Sequence, residues 1–323
     1  MKIAVCIPTY NRSQYLSEAI LSIICQSEDG VDIHVFDDAS TDNTVDICNV
    51  FKEKIIYHRN ARNLGYVGNH NECLKLYQRY DWIGILQSDD RYEGKSVAEV
   101  KKLIKKYPSA GVVFSEINTM DQWGATYHFA SPRERLFKKG ESAVERCQRQ
   151  LPCSTTFYRS EAIERVGGFD PSFPYSADEE YNARIGAHYD IIESGVALAS
   201  YRRHPENTML KTWKEPDFIE NFEKMRIRMA TYTGLPEKRA AFKARGQLCR
   251  DFLSCASVLT LNDEPDHADR YYRYVWQKKP VVFFNPFQLI KLILPMIPIA
   301  GMPLLKGMIA VKNSINKRFS KTH

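Results

Sequence analysis

The sequence predicts an α/β fold with a mostly parallel sheet covered by helices on both faces, and three observations carry that reading. Through the first half, short β-branched runs alternate with segments whose apolar residues recur at three and four positions. Acidic and turn-forming residues gather directly after the strand-like runs. With 323 residues, 44% hydrophobic and 26% charged, the chain falls in the ordinary globular range and is long enough to bury a large core.

Ile3 to Ile7 opens the chain as a strand, five apolar residues stopped by Pro8 and too few for the core of a signal peptide. Asp32 to Phe36, Ile55 to His58, Trp82 to Leu86 and Val112 to Ser115 repeat the strand pattern. Between them, Ser13 to Gln26, Thr44 to Phe51, Asn69 to Tyr80 and Ser96 to Lys105 have helical period. From about Met120 to His204 the pattern loosens, with strands at Ser154 to Tyr158 and Val196 to Tyr201 and a helix opening near Ala177. Lys211 to Tyr274 reads as helical with a break at Asn262 to Pro265, and no repeat of solenoid period is present. The expected division is a catalytic domain over residues 1–210, a helical region over 211–275 and a tail over 276–323.

That tail is basic and apolar. Eight of the 45 Lys and Arg residues and no Asp or Glu follow Val275, so 37 basic residues face 39 acidic ones before it and the body is nearly neutral. The apolar stretch from Pro280 to Val311 is broken by prolines, and its longest uncharged run, Leu292 to Leu305, has 14 residues. A spanning helix needs ~20. The tail is expected to lie on an anionic membrane surface, or else to pack on the protein; no nucleic-acid partner is expected. The eight cysteines are scattered without C-x-x-C spacing, which fits a reducing cytoplasm rather than a zinc site or disulfide framework.

In an open α/β sheet, ligands bind outside the carboxyl ends of the strands. The loops there are Pro8-Thr9-Tyr10-Asn11-Arg12, Asp37-Asp38-Ala39-Ser40-Thr41-Asp42 and Ser88-Asp89-Asp90. Two acidic pairs thus share one edge. Convergent carboxylates repel unless they hold a cation or share a proton, and Mg²⁺ or Mn²⁺ suits oxygen ligands that are completed by substrate phosphates. The same residues are also good helix caps and turn formers, Ser40 and Asp42 above all. Tyr10 at a strand end suits stacking on a base, or simple packing.

These motifs, together with Asn63-Leu64-Gly65-Tyr66 and in this order and spacing, resemble the family 2 glycosyltransferases of the GT-A fold over about residues 1 to 205. The resemblance implies a Rossmann-like nucleotide-binding unit merged with an acceptor-binding half. It implies that Pro8 and Tyr10 line the base pocket, Asp38 accepts from the base and Asp89 faces the ribose. Asp90 would be the metal ligand of the family's D-x-D element, which commonly begins with Asp where this chain has Gln87. Asp178, six residues before Arg184, would be the catalytic base, with Glu179 its rival. Asp178, Glu179 and Glu180 can equally complement a helix dipole. Val166-Gly167-Gly168-Phe169-Asp170 resembles the acceptor-side turn, or supplies glycines for a turn. His204 stands where members often have a His near the diphosphate, as metal ligand or phosphate contact, or is a surface His at a strand end. His70 stands where many have Arg.

The resemblance further implies inverting, metal-dependent transfer from a nucleotide sugar, a UDP-sugar favoured. The basic, apolar tail adds the expectation that the enzyme is cytoplasmic and peripheral to the inner membrane face, where the acceptor hydroxyl would be that of a lipid-linked saccharide in bacterial surface-polysaccharide assembly. A nucleotidyltransferase usually shows a Gly-rich loop with Arg or Lys after the first strand, and a dehydrogenase a G-x-G-x-x-G; Pro8-Thr9-Tyr10-Asn11 is neither. A non-catalytic, membrane-tethered scaffold of the same fold is the remaining alternative.

Overall fold

The computed structural model describes residues 1–26, 29–207, 211–262 and 264–278. The chain divides into two compact units, Met1–Thr208 with Thr231–Leu235, and Met209–Ala230 with Pro236–His323. Strands of the first unit are β1 (Ile3–Thr9), β2 (Val31–Asp37), β3 (Ile56–Arg59), β4 (Trp82–Ile85), β5 (Arg91–Tyr92), β6 (Ala110–Phe114), β7 (Asn118–Met120), β8 (Thr126–His128), β9 (Arg135–Phe137), β10 (Phe157–Arg159), β11 (Asp190–Glu193) and β12 (Ala199–Arg202). Its helices are α1 (Ser13–Ile24), α2 (Thr44–Val50), α3 (Gly65–Leu74), α4 (Ser96–Lys106), α5 (Glu141–Cys147), α6 (Ser160–Val166) and α7 (Ala177–Gly186).

Eight strands form one sheet in the order β3-β2-β1-β4-β10-β6-β11-β9, and β5-β12-β7-β8 form a second, smaller sheet. The first four strands pair in parallel, as the alternating pattern predicts. β10 then enters antiparallel between β4 and β6, so the sheet is mixed. Close approach there depends on Gly84, because a Cβ at that position would meet the Phe157 ring at 2.4 Å.

Every residue of β1 is buried, and its alternation assigns the two faces. Ile3, Val5 and Ile7 join Leu16, Ala19 and Ile20 of α1 and Val97, Val100 and Leu103 of α4 in one core cluster. Cys6 points the other way, its thiol 3.9 Å from the Cys73 carbonyl of α3. Burying each of the larger aliphatic side chains contributes roughly 1.5–3 kcal/mol, which favours an interior position for β1, between β2 and β4.

The local corrections have local causes. α3 starts at Gly65 rather than Asn69, because the Asp38 carboxylate accepts from the N–H groups of Leu64 and Gly65 and so supplies the missing cap. The strand expected at Val196 to Tyr201 runs from Ala199 to Arg202. In the second unit, α8 (Phe218–Thr231), α9 (Glu237–Leu261) and α10 (Pro265–Lys278) are separated at the expected Asn262–Pro265 break, with Pro265 opening α10. A further break follows Thr231, where Gly234 takes a φ of 81°. Phe252 sits at the centre of the helical core, its ring 5.2 Å from Tyr271 and 5.0 Å from Tyr274. All eight cysteines are free thiols. The tail from residue 279 onward lies outside the described residues, and among these no helix is long and apolar enough to cross a membrane.

Candidate active site

The loops after β1 and β2 are stitched into one edge. Asn11, at a φ of 51°, donates its N–H to Ser40 Oγ at 2.9 Å and accepts from the Thr41 N–H at 2.8 Å. Asp42 accepts from the N–H groups of Ser13 and Thr44, so one carboxylate caps the openings of both α1 and α2. Burial opposes its ionisation, but those bonds and the Thr44 hydroxyl outweigh burial and hold its carboxyl below the usual range. The capping reading of Asp42 is therefore the observed one. Asp37 is fully buried, accepting from the Ser40 N–H and the Tyr57 hydroxyl, with Arg59 at 3.3 Å.

Pro8 is buried within β1, while Tyr10 just beyond it is 46% exposed and available to a ligand. Asp38 is buried, with Oδ1 accepting from Asn60 Nδ2 and the Leu64 N–H, both at 2.8 Å, and Oδ2 from the Gly65 N–H at 2.9 Å. Its carboxylate thus orders the Asn63-Leu64-Gly65-Tyr66 segment.

The Asp89-Asp90 pair divides its labour. Asp89 keeps its carboxylate partly accessible, with Oδ2 at 3.1 Å from His204 Nε2 and 4.0 Å from Arg12 Nε. Asp90 is buried, accepting from the Arg202 N–H at 2.9 Å and from the Ser154 hydroxyl. Burial and the neighbouring Asp89 charge push its carboxyl well up, against the bonds from Ser154 and Arg202. Arg202 is the buttress behind both. Its side chain is 1% exposed, donates Nε–H to the Asp89 carbonyl and Nη1–H to the Gln122 carbonyl, and pairs with Glu18 of α1. Tyr15 of α1 packs on both the Arg202 guanidinium and the His204 ring.

Toward α7, Gln87 donates to His70 Nε2 at 2.9 Å and to Cys153 Sγ at 3.3 Å. His70 donates Nδ1–H to the Tyr66 carbonyl at 2.7 Å, which leaves Nε2 as the acceptor. Burial holds His70 down to about 4, so it is neutral. The positions read as His for Arg and Gln for Asp thus form one uncharged hydrogen-bonded pair. Cys153 is pushed up to about 12 by burial and by the Asp178 charge, with Asp90 also raising it. Asp178 stands in the first turn of α7 and is buried, and burial raises its carboxyl to about 6 against the N–H groups of Asp178 and Glu179. Arg184 of the same helix pairs with Glu180 and donates to the carbonyls of Val166 and Gly168, holding the Gly167-Gly168 turn.

Among the described residues no group of three or more His, Cys, Asp and Glu side chains is arranged to hold a metal. A Mg²⁺ or Mn²⁺ ion that keeps waters and phosphate oxygens needs only one or two protein ligands, and the accessible Asp89 carboxylate beside His204 fits that demand. The buried His204 Nδ1 has no hydrogen-bond partner among the described residues.

The sequence profile described as Glycosyl transferase family 2 matches residues 4–167, half of the chain and all the loops just described up to the Gly167 turn. The chain belongs to this family. The glycosyltransferase is 25% identical to an uncharacterized glycosyltransferase, RT0329 of Rickettsia typhi, over 76% of this chain and 81% of that one. It is 24% identical to the PGL/p-HBAD biosynthesis glycosyltransferase of Mycobacterium bovis, over 72% of this chain and 86% of the other. To the abequosyltransferase RfbV of Salmonella typhimurium it is 39% identical, but over only 30% of this chain and 31% of that protein's length. Its fold is that of S. aureus TarS in complex with UDP-GlcNAc, at a TM-score of 0.60 and 19% identity, covering 85% of this chain and 82% of that one. The mannosyltransferase PcManGT of Pyrobaculum calidifontis, in complex with GDP-Man and Mn²⁺, matches at 0.56 and 15%, covering 86% and 88%.

The glycosyltransferase's supporting residues were not legible as such. Ser154, Arg202, Glu18 and Asn60 reach their partners from 64, 113, 184 and 22 residues away along the chain. Only Arg202 carried a signal, as a cation inside a strand two residues before His204.

Proposed function

We propose that this glycosyltransferase moves a hexosyl unit from a nucleoside-diphosphate sugar, foremost a UDP-sugar, to a hydroxyl of a lipid-linked saccharide with inversion at the anomeric carbon. Asp178 carries the reading. It is a buried carboxylate in the first turn of α7, raised to about 6 by burial. A base of that strength is ionised at neutral pH and still accepts a proton as the hydroxyl attacks. The acceptor oxygen bonds to the anomeric carbon opposite the leaving diphosphate, and its proton passes to Asp178. Pro8 and Tyr10 would line the base pocket, Asp38 would accept from the base and Asp89 would meet the ribose. His204 and the accessible Asp89 carboxylate, joined by Asp90 where an ion replaces its bond from Ser154, would hold Mg²⁺ or Mn²⁺, which when bound offsets the charge developing on the diphosphate.

The nucleotide sugars bound by TarS and PcManGT support a donor of this class, and Mn²⁺ in the latter supports the metal. Relatives named for abequosyl transfer and PGL/p-HBAD biosynthesis favour a surface saccharide or glycolipid product. Such an acceptor would have the enzyme act at the inner face of a membrane. The test is release of nucleoside diphosphate from UDP-GlcNAc, UDP-glucose and UDP-galactose, then from GDP-, CDP- and dTDP-sugars, with Mn²⁺ or EDTA. Proton NMR of the product reports the linkage. Metal-dependent release and a β-linked product from an α-linked donor are expected; a retained α-linkage, or no release from any donor, overturns the proposal.

A further inference from the structure

Trp123, Tyr127 and Phe129 fall within seven residues and are 81, 60 and 70% exposed. They lie at and just beyond the hairpin joining β7 to β8, the edge strand of the smaller sheet. Its tip is ordered by hydrogen bonds. Asp121 Oδ1 accepts from the N–H groups of Trp123 and Ala125, each at 2.9 Å, and Gly124 takes a φ of 91°. The hairpin is also fastened to the catalytic edge. Arg202 Nη1 donates to the Gln122 carbonyl at 3.1 Å, Arg91 Nη2 to Thr126 Oγ1 at 3.1 Å and the Arg203 N–H to the Met120 carbonyl at 2.9 Å. The same Arg202 side chain holds the Asp89 carbonyl.

An ordered hairpin that keeps three aromatic rings in water marks an interaction surface, and it pays little entropy when those rings are covered. The neighbouring charges indicate what covers it. Arg203 beside the tip and Arg133 and Arg135 beyond Phe129 are exposed and in no ion pair among the described residues. The acidic side chains of the stretch are engaged, Asp121 by the turn and Glu134 by Lys106 and Tyr107. Aromatic rings flanked by guanidinium groups suit the headgroup zone of an anionic bilayer, where rings enter the acyl boundary and cations meet phosphates.

We propose that the β7–β8 hairpin is a membrane-docking element that sets the Asp89-Asp90 edge against an anionic lipid surface. It rests on the lipid-linked acceptor reading and uses none of the tail.

The test is carried out on the full-length chain with Trp213→Phe and Trp276→Phe, which leaves the exposed Trp123 and the 3% exposed Trp82. Vesicles of phosphatidylglycerol and phosphatidylcholine with brominated acyl chains should quench and blue-shift the emission, much less so without phosphatidylglycerol or at high salt. Adding Trp123→Phe should abolish the response. The triple change Trp123→Ala, Tyr127→Ser and Phe129→Ala should weaken vesicle partition by roughly ten-fold or more while leaving release from a soluble donor unchanged. The proposal is overturned if the protein fails to bind vesicles, or binds them with Trp123 still open to iodide. A response to soluble saccharide acceptor in place of vesicles overturns it too. Docking without sugar transfer would instead count against the enzymatic reading.

Discussion

Replacing Asp178 by Asn should trade activity for stability, and the site's electrostatics set the size of both effects. Asp178 is 7% exposed, and its carboxyl is raised from 3.8 to about 6 by burial, against its own N–H and that of Glu179. About two pH units at 1.36 kcal/mol each amount to about 3 kcal/mol against the folded state whenever the group is ionised. The folded carboxyl holds its proton more tightly than the unfolded one, so this stability is fully present below pH 3.8 and lost as pH rises through about 6. Asn retains an oxygen for the two N–H groups and carries no charge. At pH 8 the variant should therefore resist urea better by up to about 3 kcal/mol, and near pH 3 the two proteins should unfold alike. Transfer should fall by ~10² to 10⁴-fold with donor affinity nearly unchanged. Wild-type kcat/KM should rise with pH to a plateau above about 6. Urea unfolding by circular dichroism across pH 3 to 8, with diphosphate release assayed alongside, measures both. A variant less stable at pH 8, a stability gap that persists to pH 3, or an equal loss of transfer in Glu179→Gln alone would refute the reasoning.

Asp90→Asn and His204→Ala should each abolish Mn²⁺-dependent donor binding in calorimetry while the folded circular dichroism spectrum is retained; unchanged Mn²⁺ and donor binding would remove them from the metal site. Arg202→Met leaves the Asp89 and Gln122 carbonyls without their donor, so it should cost about 2–4 kcal/mol in thermal or urea unfolding and raise donor KM more than Asp178→Asn does. His34 is lowered to about 4 by burial and then by His58, and His70 to about 4 by burial. Both fold with pKa values below the unfolded 6.5, so the stability they contribute is present above pH 6.5 and lost as pH falls through about 4. Tm measured at pH 7, 5 and 4 should fall across that window, and His34→Asn should flatten the fall.

Local chemistry explains how much was legible beforehand. Whether Ile3 to Ile7 forms a strand depends on its own β-branched residues, and whether Asp42 caps α2 depends on Thr44 two residues on, so for these, neighbours in the chain carry the information. The family likewise follows from short motifs whose order is written along residues 8 to 90, and the parallel half of the sheet from their alternation with helices. Only the tertiary structure turns Asp89 toward His204 while sealing Asp90 behind Ser154 and Arg202, because those partners arrive from β12 and the segment before β10. The same holds for Gln87 with His70, and for the antiparallel entry of β10, which depends on Gly84 admitting the Phe157 ring. Pairing across 17 to 115 residues, as in these contacts, depends on which surfaces meet once the core has closed, and periodicity within any one segment carries no trace of it.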